Sequence, residues 1–164
     1  MRYQMKQKLF ALGDDYTVVN EDGDEVATID TKIFSIGKKL KFYGPDGGEL
    51  ARIEKRILAF RPTYDLIQGD RTIATVTKDL FTLFRCSFTV DVPGPDDLEA
   101  QGSFTDHEYT FSRGGQRVAT VSKAWFSLRD TYGVEVENDA DAILVLASTV
   151  VIDLCCHEEQ EGSS

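Results

Sequence analysis

The chain has 164 residues, of which 41% are hydrophobic and 28% charged, and its formal net charge is −10. That length suits one globular domain with a sizeable core. The acidic balance argues against nucleic acid as a partner, because phosphate binding needs an excess of lysine and arginine. Three cysteines without a disulfide or zinc spacing indicate reduced thiols and a cytoplasmic protein. The N-terminal residues contain no apolar run of the signal-peptide type.

A short phrase recurs along the chain, in which an apolar residue is followed by alanine, then threonine or arginine, then another apolar residue. Its copies contain Ala27, Ala51, Ala74 and Ala119, with a degraded copy at Ala100, and their spacing follows a period of roughly 23 residues, as in repeat-built folds. A second phrase of the same period reads Leu9-Phe10-Ala11-Leu12, Leu80-Phe81-Thr82-Leu83 and Trp125-Phe126-Ser127-Leu128. Chance alternation among strand-forming residues is the alternative, but two phrases with one period favour an internal repeat.

Each repeat is predicted to form a strand, a turn and a second strand. Alternation with period two, as in residues 109–112, is typical of a half-buried strand. Glycine-containing turns separate the strands, for example at Gly23, Gly47 and Gly114. The repeats together predict roughly twelve antiparallel strands. Pro93 and Pro95 mark a loop that interrupts the repeat without dividing the chain into two domains.

After Val136 the pattern changes to that of a helix. Asn138 and Asp139 are suited to a helix N-terminus, and residues 142–152 are apolar around the whole circumference of a helix. We therefore predict a helix over residues 139–157, approximately, followed by a disordered tail at residues 159–164. The apolar run is shorter than the about 20 residues of a membrane span, which favours burial inside the protein.

A sheet packed on one side would cover only half of such a helix, whereas a closed barrel covers all of it. Small barrels are filled by their own side chains, whereas wider barrels that hold a central helix are known. The sequence therefore predicts one mainly β domain over residues 1–158, built as a closed antiparallel barrel of roughly twelve strands around a central hydrophobic C-terminal helix.

The run from Trp125 to Val136, the acidic residues after it and the apolar helix that reaches Asp153 together resemble the LURP-one-related family. That family belongs to the tubby C-terminal-like superfamily, which includes the phospholipid scramblases. The resemblance extends from Lys6 to about Glu159 and implies a twelve-stranded barrel around a central helix. Tubby proteins bind phosphoinositides through paired basic residues on the barrel surface, but this sequence has no matching pair, so no residue role is carried over.

The candidate ligand-binding residues are basic. Lys38, Lys39, Lys41, Lys55 and Arg56 are interpreted as a patch for an anion or a lipid headgroup. The alternative is that these side chains only cover strand edges, since lysine discourages edge-to-edge pairing.

Four other groups of polar residues carry side chains with potential binding chemistry. His107 with Glu108, and residues 155–158, carry metal-binding side chain types, but their spacing is not that of a zinc site. Asp153 lies near the C-terminal end of the predicted helix, where an acid is unfavourable, and it is predicted to pair with a barrel arginine or lysine. Arg129 and Asp130 are predicted to form a structural ion pair.

The motifs of common enzyme classes are absent: the sequence has no nucleophile elbow, phosphate-binding loop, dinucleotide-binding glycines or zinc-protease helix. No catalytic residue, metal site or cofactor is predicted. We expect a non-enzymatic binding or scaffold module, cytoplasmic or peripheral to a membrane, whose partner is a phospholipid or another protein. An enzyme of unrecognised type and a membrane-anchored, scramblase-like protein are the alternatives.

Overall fold

The structure is a computed structural model that describes residues 1–8, 15–30, 39–80, 86–94, 97–125 and 131–162. Within these residues, twelve strands are followed by a short 3-10 turn and one long helix. The elements are β1 (Arg2–Lys8), β2 (Asp15–Val19), β3 (Glu25–Asp30), β4 (Lys39–Tyr43), β5 (Glu49–Lys55), β6 (Thr63–Gln68), β7 (Arg71–Leu80), β8 (Cys86–Asp91), β9 (Leu98–Ser103), β10 (Glu108–Arg113), β11 (Gln116–Ser122), β12 (Thr131–Val136), the 3-10 turn (Asp139–Asp141) and α1 (Ala142–Gly162).

The strands form one closed antiparallel barrel, which confirms the predicted fold class. Each strand pairs with its neighbour in sequence, and β1 closes the barrel by pairing with β12. Because successive strands alternate in direction, all connections after even-numbered strands lie at one end of the barrel. We call this the helix-entry end, because α1 begins there after β12. The connections after odd-numbered strands lie at the opposite, helix-exit end, towards which α1 runs.

The repeated alanine phrase marks a recurring irregularity of the sheet. Ala27, Ala51, Ala74 and Ala119 are all buried on odd-numbered strands. Immediately before each alanine, the register with the preceding strand shifts by one residue, as at a β-bulge. The unpaired residues are the apolar ones that open the phrase, Val26, Leu50, Ile73 and Val118. A bulge bends its strand and increases the local twist, so the repeat supplies curvature that helps the sheet to close.

The degraded copy of the phrase keeps its alanine but lacks the irregularity. Ala100 on β9 is fully buried, and it pairs in regular register with Phe88 on one side and Phe111 on the other. Ala51 similarly lies opposite Phe42. Small inward side chains beside large ones fill the barrel wall while leaving space for a helix along its axis.

The helix is enclosed by the barrel. All eight residues 145–152 are at most 2% exposed. Because they span more than two turns, no face of this stretch can be in contact with solvent, which confirms that the barrel surrounds α1. The hydroxyl groups of Ser148 and Thr149 donate to the carbonyl oxygens of Leu144 and Val145 at 2.7 and 2.8 Å, so these buried polar groups need no water.

The end of the helix differs from the prediction. α1 continues to Gly162, past the predicted end near residue 157 and into the segment expected to be a tail. Residues 158–161 are glutamate and glutamine, which are good helix formers, and within α1 no glycine or proline occurs before Gly162. Among the described residues, no helix is long and apolar enough to cross a membrane.

Several sequence predictions fall outside the described residues. They concern Lys38, the Arg129–Asp130 pair and most of the second repeated phrase, namely residues 9–12, 81–83 and 126–128.

Candidate functional site

The basic residues at the start of β4 point away from the core. The strand alternates strictly: Leu40 and Phe42 are buried inside the barrel, whereas Lys39 and Lys41 are exposed on the outer face. This follows from the period-two geometry of a strand that covers a hydrophobic interior on one side only.

These two lysines line a groove of about 380 Å³ on the outer face of three neighbouring strands, β3, β4 and β5. Strand pairing sets its central row, in which Lys41 lies opposite Asp30 on one side and opposite Arg52 on the other. The described residues that line the groove are Asp30, Lys39, Leu40, Lys41, Tyr43, Arg52 and Glu54. Hereafter they are called the β4–β5 groove.

The cations of the β4–β5 groove differ in how firmly they are held. A terminal guanidinium nitrogen of Arg52 donates to the Gly69 carbonyl oxygen at 3.1 Å, and its Nε lies 3.3 Å from Glu49 Oε1. Lys39 Nζ is 4.0 Å from Glu54 Oε1, a loose pair between an exposed lysine and a half-buried glutamate. Lys41 has no ion-pair partner within 4.0 Å in the described part of the chain. Lys41 is therefore the cation most available to an anionic ligand.

The predicted basic patch is only partly assembled. Lys39 and Lys41 share the β4–β5 groove, but Lys55 and Arg56 do not line it. Lys55 lies at the end of β5, with its Nζ 5.8 Å from the centre of the Tyr64 ring. Arg56 forms two hydrogen bonds of 2.9 Å to the carboxylate of Asp65.

Arg56 and Asp65 form a structural ion pair. Burial acts to raise the pKa of Asp65, but the hydrogen bonds that it accepts from Arg56 and Thr75 outweigh this effect and leave the pKa below its ordinary value. The hydrogen bond to Asp65 and the charge of its carboxylate also raise the pKa of Arg56. Both groups are therefore charged at neutral pH and satisfy each other.

Sequence reasoning missed Arg52, which stands opposite Lys41. The signal was present in the β4–β5 hairpin. If Phe42 and Ala51 both face the core as partners, then Lys41 and Arg52 must be partners on the outer face. The bulge at Leu50 hid this register, because a regular hairpin with the same turn would be paired one residue out of step.

A second cluster of titratable side chains lies within the barrel at the helix-exit end. It is centred on Asp153 of α1, whose side chain is only 9% exposed. His107 Nε2 is 3.0 Å from one carboxylate oxygen, and the hydroxyl groups of Tyr16 and Tyr132 reach the other, Tyr16 at 3.4 Å. The His107 ring also stacks on Tyr132 with centroids 4.3 Å apart.

The prediction for Asp153 was wrong about its partners, which are a histidine and tyrosines and not arginine or lysine. The partners are set by which strand starts and turns lie at the helix-exit end of the barrel interior. Tyr16 and Tyr132 stand near the starts of β2 and β12, and His107 sits in the turn before β10 with a φ of 54°. This left-handed backbone is uncommon for a residue with a side chain.

Burial, followed by the negative charge of Asp153, raises the pKa of both Tyr109 and Tyr132 well above the ordinary value. The Tyr132 phenol therefore stays protonated at neutral pH and donates to Asp153. Because α1 continues to Gly162, Asp153 lies more than two turns before the helix C-terminus, and the sequence-based expectation of a helix-end acid was wrong. The cluster instead supplies hydrogen-bond partners to a nearly buried carboxylate.

A second surface groove, of about 310 Å³, is bounded by Arg2, Trp125 and residues near the β2–β3 turn. Its cation is already engaged. Arg2 donates to Glu135 at 2.8 Å, and its guanidinium carbon lies 4.3 Å from the centre of the Trp125 ring. The β4–β5 groove is therefore the better anion site of the two.

His107 and Glu108, considered as metal ligands, turn to different partners, and the side chains of His157 and Glu158 lie outside the described part of the structure. His107 turns inward to Asp153, whereas the Glu108 carboxylate accepts hydrogen bonds from Ser122 and from the backbone of Lys123. Within the described residues, no three histidine, cysteine, aspartate or glutamate side chains are grouped as a metal-ion ligand set.

Comparison with known proteins supports the fold and the family. A family model described as LURP-one-related matches residues 1–153. The uncharacterized protein YxjI of Bacillus subtilis (strain 168) is 26% identical over 159 residues, which cover 97% of this chain and 96% of that protein. An Arabidopsis thaliana protein of known X-ray structure superposes with a TM-score of 0.65 over 93% of this chain and 91% of its own, at 10% identity. At that identity, the structural likeness speaks to the fold alone.

Proposed function

Given that the chain belongs to the LURP-one-related family, we propose that it is a non-enzymatic binding module whose β4–β5 groove binds a phosphorylated lipid headgroup at a membrane surface. Membership of the family does not by itself specify a ligand. The proposal therefore depends on the chemistry of the groove.

One observation carries the proposal: three cations, Lys39, Lys41 and Arg52, line a concave surface on a protein whose net charge is −10. The described lining also includes two carboxylates, Asp30 and Glu54, so the three cations leave the groove with a net positive charge. Arginine offers planar donors that match phosphate, and lysine adds a mobile point charge. Lys41, which has no ion-pair partner among the described residues, can reach a phosphate without breaking a salt bridge.

The acids of the groove limit its affinity and supply selectivity. Glu54 and Asp30 repel any anion that enters the groove, and ligand hydroxyl groups that donate to these carboxylates would offset part of the repulsion. A sugar or inositol headgroup presents both phosphate oxygens for the cations and hydroxyl groups for the carboxylates. We therefore expect such a headgroup to bind more tightly than inorganic phosphate.

The test is co-sedimentation with vesicles. Wild-type protein is expected to sediment with phosphatidylcholine vesicles that contain a phosphoinositide bisphosphate and to stay in solution with phosphatidylcholine alone. Binding is expected to weaken as salt is raised, because exposed charges are screened. Inorganic phosphate is added as a competitor, and efficient displacement at equal concentration would identify a simple anion site and refute the headgroup proposal.

The matched variants are Lys41→Ala and Lys123→Ala. Each removes one exposed lysine, but Lys123 follows β11, far around the barrel from β4. The Lys41→Ala variant is expected to lose most of the vesicle binding, and Lys123→Ala to retain it. Equal binding by the two variants, or no binding of wild type to any phosphoinositide vesicle, would overturn the proposal.

A further inference from the structure

The connection between β5 and β6 exposes an apolar tip. Its residues Ile57, Leu58 and Phe60 are 64%, 97% and 104% exposed, and Ala59 between them is exposed as well. When a protein exposes several large apolar side chains in one place, the patch usually marks a site of interaction with another protein or a membrane. Hereafter residues 57–60 are called the apolar tip.

The base of this loop is well anchored. The Arg56 amide donates to the Thr63 carbonyl oxygen at 2.9 Å, and the Lys78 amide donates to that of Pro62 at 3.0 Å. The Thr63 hydroxyl donates to the Arg61 carbonyl oxygen at 2.8 Å. The hydrogen bonds fix both ends of the loop to the barrel, so the apolar tip is presented on a firm support.

Cations flank the apolar tip on both sides in the sequence, Lys55 and Arg56 before it and Arg61 after it. Asp65 and Asp79, which pair with the two arginines, are only 21% and 13% exposed, whereas Arg56 and Arg61 are 55% and 48% exposed. The acids therefore lie beneath, and the positive groups face outward around the apolar tip.

We infer that the apolar tip inserts into the interface of an anionic lipid bilayer, with the flanking cations at the level of the lipid phosphates. An apolar segment bordered by lysine and arginine is the pattern of interfacial membrane anchors, because the apolar groups enter the acyl boundary while the cations stay among the headgroups. A bilayer can accept the three large apolar side chains of the tip without a preformed pocket. A protein partner would have to provide such a pocket.

The position of the tip agrees with that of the groove. The apolar tip follows β5 at the helix-exit end, and the groove lies on β4 and β5, with Lys39 and Glu54 paired near the same end. A barrel whose helix-exit end approaches a membrane can therefore insert the tip and bind a headgroup in the groove together. In naming a lipid, the inference rests on the proposed function, but it concerns different residues.

The experiment separates the two sites with two probes. The double variant Leu58→Ser with Phe60→Ser is compared with Lys41→Ala, using phosphoinositide vesicles and the soluble probe inositol trisphosphate. The tip variant is expected to lose about tenfold or more of its vesicle affinity and to bind the soluble probe as wild type does. The Lys41→Ala variant is expected to lose both. Because the mutated side chains are exposed, the tip variant should fold normally, as circular dichroism will verify.

Insertion is measured independently with a Phe60→Trp variant and brominated lipids. Its fluorescence is expected to be quenched on vesicle binding beyond the quenching of wild type, whose single tryptophan is Trp125. Sedimentation of Phe60→Trp without this added quenching would overturn the inference. So would a tip variant that binds vesicles as wild type does, or a wild type that binds no vesicles but whose tip is needed to bind a protein. Loss of soluble-probe binding in Lys41→Ala, together with the added quenching of Phe60→Trp in an otherwise wild-type chain, would support both proposals.

Discussion

Shortening a buried side chain of α1 tests how completely the barrel encloses this helix. Ile152 is fully buried, and Ile143, on the same helix, is only partly buried. The substitution Ile152→Ala removes three carbon atoms from a packed interior and leaves a cavity, a change that costs about 2–5 kcal/mol in well-packed cores. Ile143→Ala makes the same chemical change where solvent already reaches the side chain, so we expect less than half that loss.

The two variants share the small gain in helix propensity on going from isoleucine to alanine, so their difference isolates burial. The free energy of unfolding is measured by urea titration followed by circular dichroism. For a chain of this size, each kcal/mol corresponds to about 2–4 °C in Tm. Ile152→Ala should therefore melt about 4–20 °C below wild type. Equal losses at both positions, or a loss under about 1 kcal/mol at Ile152, would show that the barrel does not enclose the helix as described.

Three further substitutions have definite expected outcomes. Gly102→Ala should strongly destabilise the protein in the same urea titration, because φ there is +139° and a Cβ atom would lie 2.7 Å from the Tyr109 Cα; a near-neutral effect would contradict this geometry. Wild type should lose stability as pH rises above the ordinary tyrosine pKa of 10.0, because the fold favours the neutral Tyr132 phenol. In Tyr132→Phe, the free energy of unfolding should fall less steeply at alkaline pH. A slope equal to that of wild type would contradict the contribution assigned to Tyr132. Asp65→Asn should be less stable than wild type at neutral pH by at most about 1 kcal/mol. It should also lose less stability in acid, because the folded-state pKa of Asp65 is lowered and its contribution disappears as pH falls through that value; equal acid sensitivity would refute the role of Arg56.

The fold could be predicted because its two signals are local in sequence. The period-two alternation and the turn glycines predict hairpins. Because residues 142–152 are apolar around the whole helix, they must be buried on every side. What the sequence did not reveal is why the alanine phrase repeats. Residues such as Leu50 and Ala51 would point to opposite faces of a regular strand, and only the observed register shows that the first is bulged.

The site was harder to predict, because it depends on neighbours across strands. Lys39 and Lys41 were identified from a local run of lysines, but Arg52 joins them through pairing between strands. Asp153 was identified as unusual, but its partners come from β2, β12 and the β9–β10 turn. The sequence did not indicate the apolar tip, because an apolar run such as residues 57–60 normally predicts buried side chains. Only the structure shows that these residues are exposed.

The orientation on a membrane can be measured by hydrogen–deuterium exchange, with and without phosphoinositide vesicles. Added vesicles should slow exchange near the helix-exit end, in residues 39–41 and 52–61, which include the lysines of β4, the arginine of β5 and the apolar tip. Exchange in the turns of the helix-entry end, residues 20–24, 69–70 and 114–115, should stay unchanged. Protection confined to those turns, with residues 39–41 and 52–61 unaffected, would contradict the account.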